Sequence, residues 1–144
     1  MNTAIVLAYL LSFISSQWLT DFDVARNVAS QEHKYILLNF SGSDWCGPCI
    51  KMKKEVFEND QFLSLADKSL VLLRADFPRS KKNQLPKDQV KHNEALAEQY
   101  NPNSRFPLTV LLDAKGHVVK EWDGYVFATQ EKFISDLKGT LASL

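Results

Sequence analysis

The chain has two cysteines, and they stand three positions apart in Trp45-Cys46-Gly47-Pro48-Cys49. The apolar run Tyr35-Ile36-Leu37-Leu38-Asn39-Phe40 leads into the pair with the character of a buried strand. Ile50-Lys51-Met52-Lys53-Lys54-Glu55-Val56-Phe57 leaves it with the character of a helix. Any fold for this chain therefore has to deliver a strand end, a turn and a helix start to one place, with both sulfurs at the junction.

That placement has chemical consequences. A sulfur at the first residue of a helix faces unpaired backbone N–H groups and the positive end of the helix dipole, which favour thiolate over thiol. A cysteine so placed has a pKa lowered from about 8.5 to roughly 3.5–7.5. Cys49 lies one helical turn on, on the same face as Cys46, within reach of a disulfide. Pro48 fits a first turn, where its missing N–H costs little, and Gly47 puts no side chain over the sulfur. Cys46, the more exposed of the two on this reading, is the expected attacking thiol, and Cys49 the resolving one.

Composition limits the alternatives. A length of 144 residues, 45% of them apolar, predicts one domain of ordinary core size. Seventeen basic and seventeen acidic side chains balance, which argues against a nucleic-acid partner. Two cysteines make neither a disulfide-rich scaffold nor a four-thiolate zinc site. A soft ion such as Cu(I) on the two thiolates is the alternative from another class. It lacks further ligands: His33 reads as a helix-end surface residue, His92 has no nearby partner in sequence, and Met52 reads as core. No metal and no cofactor beyond the dithiol is expected.

Residues 1–16 stand apart. Ala4 to Ile14 is an uncharged apolar run followed by Ser15-Ser16, short for a membrane span of about 20 residues and suited to the roughly 7–15-residue core of an export signal. The expectation is a signal peptide over 1–16, a folded domain over 17–144, and a location outside the cytoplasm, in the periplasm. A buried N-terminal helix or an uncleaved membrane anchor is the competing reading.

Beyond the leader, Asp21 to Ala29 has helical spacing, with His33-Lys34 as its end. The helix from Cys46 is expected to run to Glu58. Asn59-Asp60 opens a shorter one, and Leu70-Val71-Leu72-Leu73-Arg74-Ala75-Asp76 reads as a second buried strand, giving a right-handed parallel βαβ unit. Residues 78–89 are polar, basic and bracketed by prolines; they read as an exposed loop, either a solvated insertion or a docking surface for an acidic partner. A helix follows from Asp88 to Tyr100. Arg105 to Asp113 and His117 to Trp122 form a hairpin, and a last helix opens near Thr129.

Trp45-Cys46-Gly47-Pro48-Cys49 after a hydrophobic strand resembles the thioredoxin active site in every letter. The wider frame Phe40-Ser41-Gly42-Ser43-Asp44-Trp45-Cys46 is similar to that of extracytoplasmic bacterial thioredoxin-like proteins, including the redox domain of thiol:disulfide interchange proteins. The resemblance implies an α/β thioredoxin fold, a mixed central sheet built from βαβ and ββα units with helices on both faces. It implies a cis-proline at Pro107, with Phe106 offering its backbone to a substrate polypeptide in strand-like fashion. Trp45, Gly47 and Pro48 would shape the active site. The implied activity is reduction or isomerisation of disulfides in protein substrates, with an electron-donating interchange partner. Roles in cytochrome maturation occur in the same family. A monomer is expected. One departure stands out: the family's buried aspartate, which serves in proton transfer behind the resolving cysteine, falls on Asn39 if the turn at Ser41–Asp44 holds one extra residue. Asp44 is then a surface modulator of local charge rather than a replacement base.

Overall fold

The computed structural model describes residues 17–144; the leader expected over 1–16 lies outside them. Helix α1 (Phe22–Glu32) begins where Asp21 Oδ1 accepts the Val24 N–H at 3.0 Å, a side-chain cap that satisfies one of the orphan donors of a helix start. It ends at His33, whose left-handed φ of 55° turns the chain toward β1 (Tyr35–Ser41). The active-site helix α2 (Gly47–Met52) runs into a π-helical turn over Lys53–Phe57. Then follow α3 (Asp60–Ser69), capped by the Asn59 side chain, β2 (Leu70–Asp76), a 3-10 turn (Lys81–Asn83), α4 (Lys87–Tyr100), β3 (Leu108–Leu112), β4 (Val118–Asp123) and α5 (Gln130–Ala142).

The four strands form one mixed sheet in the order β2-β1-β3-β4. β1 pairs with β2 in parallel, Leu37 opposite Leu72, and with β3 antiparallel, Leu37 opposite Leu111; β3 and β4 form the antiparallel hairpin. This is the βαβ-plus-ββα plan predicted from the strand and helix patterns. Strand alternation splits the core in two. Ile36, Leu38 and Phe40 face α1 and α4, packing with Ala25, Ala29, Leu96 and Tyr100. Leu37 faces the other way, toward Met52, Val56, Phe62, Phe133 and Leu137 of the α2, α3 and α5 layer. Fully buried side chains such as Phe40, Phe62 and Leu37 each contribute about 1.5–3 kcal/mol through removal from water.

Two features differ from the expectation. The helix from the cysteines does not run as a regular α-helix to Glu58: it widens at Lys53–Phe57, where the Glu58 N–H reaches back to the Lys53 carbonyl at 3.0 Å. The extra residue in the turn lets Met52, Val56 and Phe57 all enter the same core layer. The chain before α1 also adds to the sheet. Leu19 lies parallel to Leu73 beyond β2, its N–H donating to the Leu72 carbonyl at 2.8 Å and its carbonyl accepting from Arg74 N–H at 2.9 Å. This short segment covers part of an edge strand that would otherwise be open.

Candidate active site

β1 ends at Ser41, and the next residues turn tightly back on themselves. The Gly42 carbonyl accepts N–H groups from Trp45 at 3.2 Å and Cys46 at 2.9 Å. Gly42 is required by space, because a Cβ there would overlap the Trp45 indole. Ser43 ties the turn to the end of β2, its N–H donating to Asp76 Oδ1 at 2.9 Å and its hydroxyl to Asp76 Oδ2. Asn93, on α4 and 2% exposed, fixes the same strand end by donating to the Asp76 carbonyl at 2.9 Å.

Cys46 is the N-cap of α2, with extended backbone, and Pro48 occupies the first turn as expected. Cys46 and Cys49 form a disulfide with their Cα atoms 5.2 Å apart. The Cys49 N–H donates to Cys46 Sγ at 3.3 Å, so the Cys46 sulfur is the helix cap. Exposure does not separate the two residues: Cys46 is 5% and Cys49 4% exposed in the disulfide state, which corrects the expectation that Cys46 is the more open. The asymmetry between them is the cap hydrogen bond. Gly47 and Pro48 are exposed, and a Cβ on Gly47 would meet nothing.

Against this turn lies the segment before β3. The Phe106–Pro107 peptide bond is cis, as the resemblance implied. Asn101, 1% exposed, braces the approach with both ends of its amide, donating to the Arg105 carbonyl at 2.8 Å and accepting the Arg105 N–H at 2.9 Å. The Pro107 carbonyl accepts the Gly124 N–H at 2.8 Å, whereas Phe106 has no backbone hydrogen-bond partner among the described residues. Phe106 packs edge-on against both Trp45 and Phe77, with ring centroids 5.4 and 5.5 Å apart. The Trp45 indole N–H donates to the Phe77 carbonyl at 2.7 Å.

Asn39 is an interior residue of the sheet. It is 2% exposed and stands on the strand face that carries α2, in register with Arg74 on one side and Thr109 on the other. Its Nδ2 donates to Thr109 Oγ1 at 3.1 Å, and that hydroxyl lies 3.9 Å from Met52 Sδ. Met52 is thus core, as its pattern predicted. The Arg74 guanidinium is stacked 4.0 Å from the Trp18 ring centroid and 5.4 Å from that of Phe57, and burial lowers its pKa to about 10.

Asp44 is bonded to the basic loop. One carboxylate oxygen accepts the Arg79 N–H at 2.9 Å; the other accepts the Ser80 N–H at 2.9 Å and the Asn83 amide at 3.0 Å. Those bonds, Arg79's first, hold its pKa below the ordinary 3.8. The basic loop is therefore fastened to the turn that carries Trp45, with Arg79 stacked 3.7 Å above the Trp45 ring centroid. Sequence reading missed this clasp. The partners lie 35 to 39 residues from Asp44, and the sequence reading of it as a surface modulator of local charge held no sign of them. His92 also has a structural duty: its Nε2 accepts the Phe22 N–H at 3.1 Å, at the start of α1.

The comparisons agree with this geometry. The family model described as thioredoxin-like matches residues 17–114. The chain is 38% identical over 100 residues to the disulfide bond reductase DsbH of Chlamydia pneumoniae, covering 69% of this chain and 58% of that protein. It is 33% identical over 60 residues to the thioredoxin-related protein DsbJ of the same organism, 42% of this chain and 17% of that one. The chain thus spans little more than half of the first relative and a small part of the second. Among solved structures, a DsbH oxidoreductase superposes with a TM-score of 0.76 at 28% identity, covering 99% of this chain and 95% of that one. A poplar thioredoxin h, at 21% identity and a TM-score of 0.59 over 85% of this chain and 95% of its own, shares the fold. With its cis-proline, its disulfide at a helix start and its mixed four-stranded sheet, the chain belongs to the thioredoxin-like family.

Proposed function

We propose that the chain is a thiol-disulfide oxidoreductase that reduces or isomerises disulfides in polypeptides outside the cytoplasm, with Cys46 as nucleophile and Cys49 as resolving thiol. The observation that carries the reading is the Cys49 N–H bonded to Cys46 Sγ, in a disulfide that caps α2. In the reduced protein that donor and the helix start favour a Cys46 thiolate. The thiolate attacks one sulfur of the client disulfide, forming a mixed disulfide and releasing the other client sulfur as thiolate. Cys49, once deprotonated, attacks Cys46 Sγ; the second client sulfur leaves, and Cys46–Cys49 is oxidised while the client has gained two electrons. A separate thiol:disulfide interchange partner has to return those electrons. The unpaired backbone of Phe106, beside cis-Pro107, is a place for an extended client segment to pair.

Reduction as the preferred direction is supported by the Gly47-Pro48 pair and by the 38% identical relative named as a reductase. The extracytoplasmic location rests on the apolar run of residues 4–14. No helix of the described residues is long and apolar enough to cross a membrane. Phe106 and Pro107, with Trp45, Gly47 and Pro48, form the client-facing surface, and the protein works as a monomer with no cofactor besides its dithiol. The test is a Cys49→Ser variant incubated with an oxidised client. A covalent protein–client adduct through Cys46, released by dithiothreitol and absent from Cys46→Ser, is expected. Adducts formed equally through Cys49 in the Cys46→Ser protein would reverse the roles. The Cu(I) alternative predicts stoichiometric copper in protein purified under reducing conditions.

A further inference from the structure

Between residues 77 and 91 the chain carries five basic side chains, Arg79, Lys81, Lys82, Lys87 and Lys91, against one acidic one, Asp88. The whole chain has a formal net charge of zero, so the rest of it carries a matching excess of acid and this segment is a local positive pole. All five are exposed, and among the described residues none is in an ion pair. The loop that carries Arg79, Lys81 and Lys82 is fastened, while Lys87 and Lys91 follow on α4: Asp44 binds the loop at three points, and Gln84 closes it by donating to the carbonyls of Pro78 at 3.2 Å and Ser80 at 3.1 Å. The Asp44 and Asp76 carboxylates keep their charge beside the loop, but hydrogen bonds hold them to backbone N–H groups, the Ser43 hydroxyl and the Asn83 amide, and among the described residues neither pairs with a cation of this segment. The attachment point is Trp45, the residue before Cys46, with the Arg79 guanidinium on its ring.

Resting on the oxidoreductase reading above, we infer that the loop over residues 79–82 is a docking surface for an acidic segment of the client polypeptide, which it holds beside the disulfide while the client cystine meets Cys46. A solvated insertion has no need of a carboxylate clasp or of a cation stacked on the residue next to the reacting sulfur. A docking surface needs both, because complementary charge steers encounter only when its position relative to the reacting atoms is fixed. The selected class is a polypeptide with aspartates or glutamates within a few residues of the cystine that is reduced.

The experiment compares two cyclic peptides with the same disulfide, one flanked by Asp and Glu, the other by Lys, as substrates of the full chain and of the double variant Lys81→Glu/Lys82→Glu. Those two side chains contribute nothing to the Asp44 clasp. The wild-type protein is expected to favour the acidic peptide by roughly tenfold in kcat/KM at low salt, the preference fading as salt screens it. The variant is expected to lose or invert the preference while reducing a small uncharged disulfide at the wild-type rate. An acidic-to-basic ratio that is the same in both proteins overturns the inference. A chain that reduces none of the three substrates overturns the oxidoreductase reading instead. The docking inference is then decided by NMR of the oxidised protein with the same peptides lacking cysteine. Shifts at residues 79–83 and at the Trp45 indole N–H with the acidic peptide alone uphold it, and their absence overturns it.

Discussion

Residues 77–84 and residues 124–129 flank the active-site helix, and each hangs from a carboxylate belonging to the active-site segment. Asp44, before the helix, uses both oxygens to hold Arg79, Ser80 and Asn83. Glu55, in the π-helical turn, uses one oxygen to accept the Tyr125 hydroxyl at 2.6 Å and the Ala128 N–H at 3.0 Å. The second tether also holds Ala128 at a φ of 62°, a left-handed conformation uncommon for a residue with a Cβ. The two loops present opposite chemistry. The first offers cations; the second offers Val126 and Phe127, 69% and 64% exposed, with the Lys51 ammonium 5.1 Å from the Phe127 ring centroid. The same device, a carboxylate next to or on the active-site helix that accepts backbone N–H and side-chain hydrogen bonds, has been used twice with different cargo. The two flanks therefore differ in their response to salt: the field of the cationic loop weakens with screening, and the apolar character of Val126 and Phe127 does not depend on charge.

The largest expected effect that separates the flanks comes from Gly42→Ala. Its new methyl displaces the Trp45 indole, which removes the platform under Arg79 and the wall against Phe106 but touches nothing at Tyr125 or Ala128. Reduction of a test peptide is expected to fall on the order of ten- to a hundredfold through misplacement of the client. Amide exchange should rise at 79–83 and stay unchanged at 125–128. Equal loosening of both loops would show that the flanks are one unit.

A smaller effect is expected from cutting each tether alone. Asp44→Ala should raise amide exchange at Arg79 and Ser80 by several-fold and expose the 79–82 bonds to trypsin, and Glu55→Ala should do the same for exchange at Ala128 only. Cross-effects in either direction, measured by exchange coupled to mass spectrometry, would join what the structure separates.

The smallest effect is the response to acid. Hydrogen bonds hold both carboxyls below their ordinary values, Asp44 chiefly through Arg79 N–H and Glu55 chiefly through the Tyr125 hydroxyl. A depressed carboxyl contributes fully above its ordinary value, 3.8 for Asp44 and 4.5 for Glu55, and loses that contribution as pH falls through the lower value in the folded protein. Protection at both loops, taken as exchange relative to the intrinsic rate at each pH, is therefore expected to be flat from neutral pH to about pH 5 and to fall only below about pH 4. In Asp44→Ala the acid-dependent part should vanish from residues 79–80 and persist at Ala128. Loosening of wild-type loops already at pH 6 would assign the control to some other group.

Strand alternation and helical spacing made the sheet and its two core layers readable, because those signals repeat over a few residues and burial enforces them. Ile36, Leu38 and Phe40 against Leu37 is such a case. The junction of strand, turn and helix at Cys46 was readable for the same local reason, and cis-Pro107 through the family pattern. What stayed hidden depends on pairs distant in sequence. The Asp44 clasp joins a turn to a loop beyond the next strand, Asn39 finds Thr109 at a separation of 70 residues, and Glu55 meets Tyr125 at the same separation. The π-helical turn was hidden because Lys53 to Phe57 satisfies an ordinary helical pattern, and only the packing of Val56 and Phe57 against the sheet selects the wider geometry.

Asn39 has a consequence for how the protein handles hydrogen ions. The buried polar residues of the described chain are Asn39, Ser41, Asn93, Asn101 and Thr109, all amides and hydroxyls that neither gain nor lose a proton between acid and alkaline conditions. Among the described residues no Asp or Glu is buried, so the two hydrogens that accompany two electrons into the disulfide find no interior carboxylate and settle on the sulfurs. The enclosed groups that can titrate, the Arg74 guanidinium at about 10 and the Tyr100 phenol above its ordinary 10, hold one protonation state near neutral pH, so there redox change and acidity are coupled at the thiols.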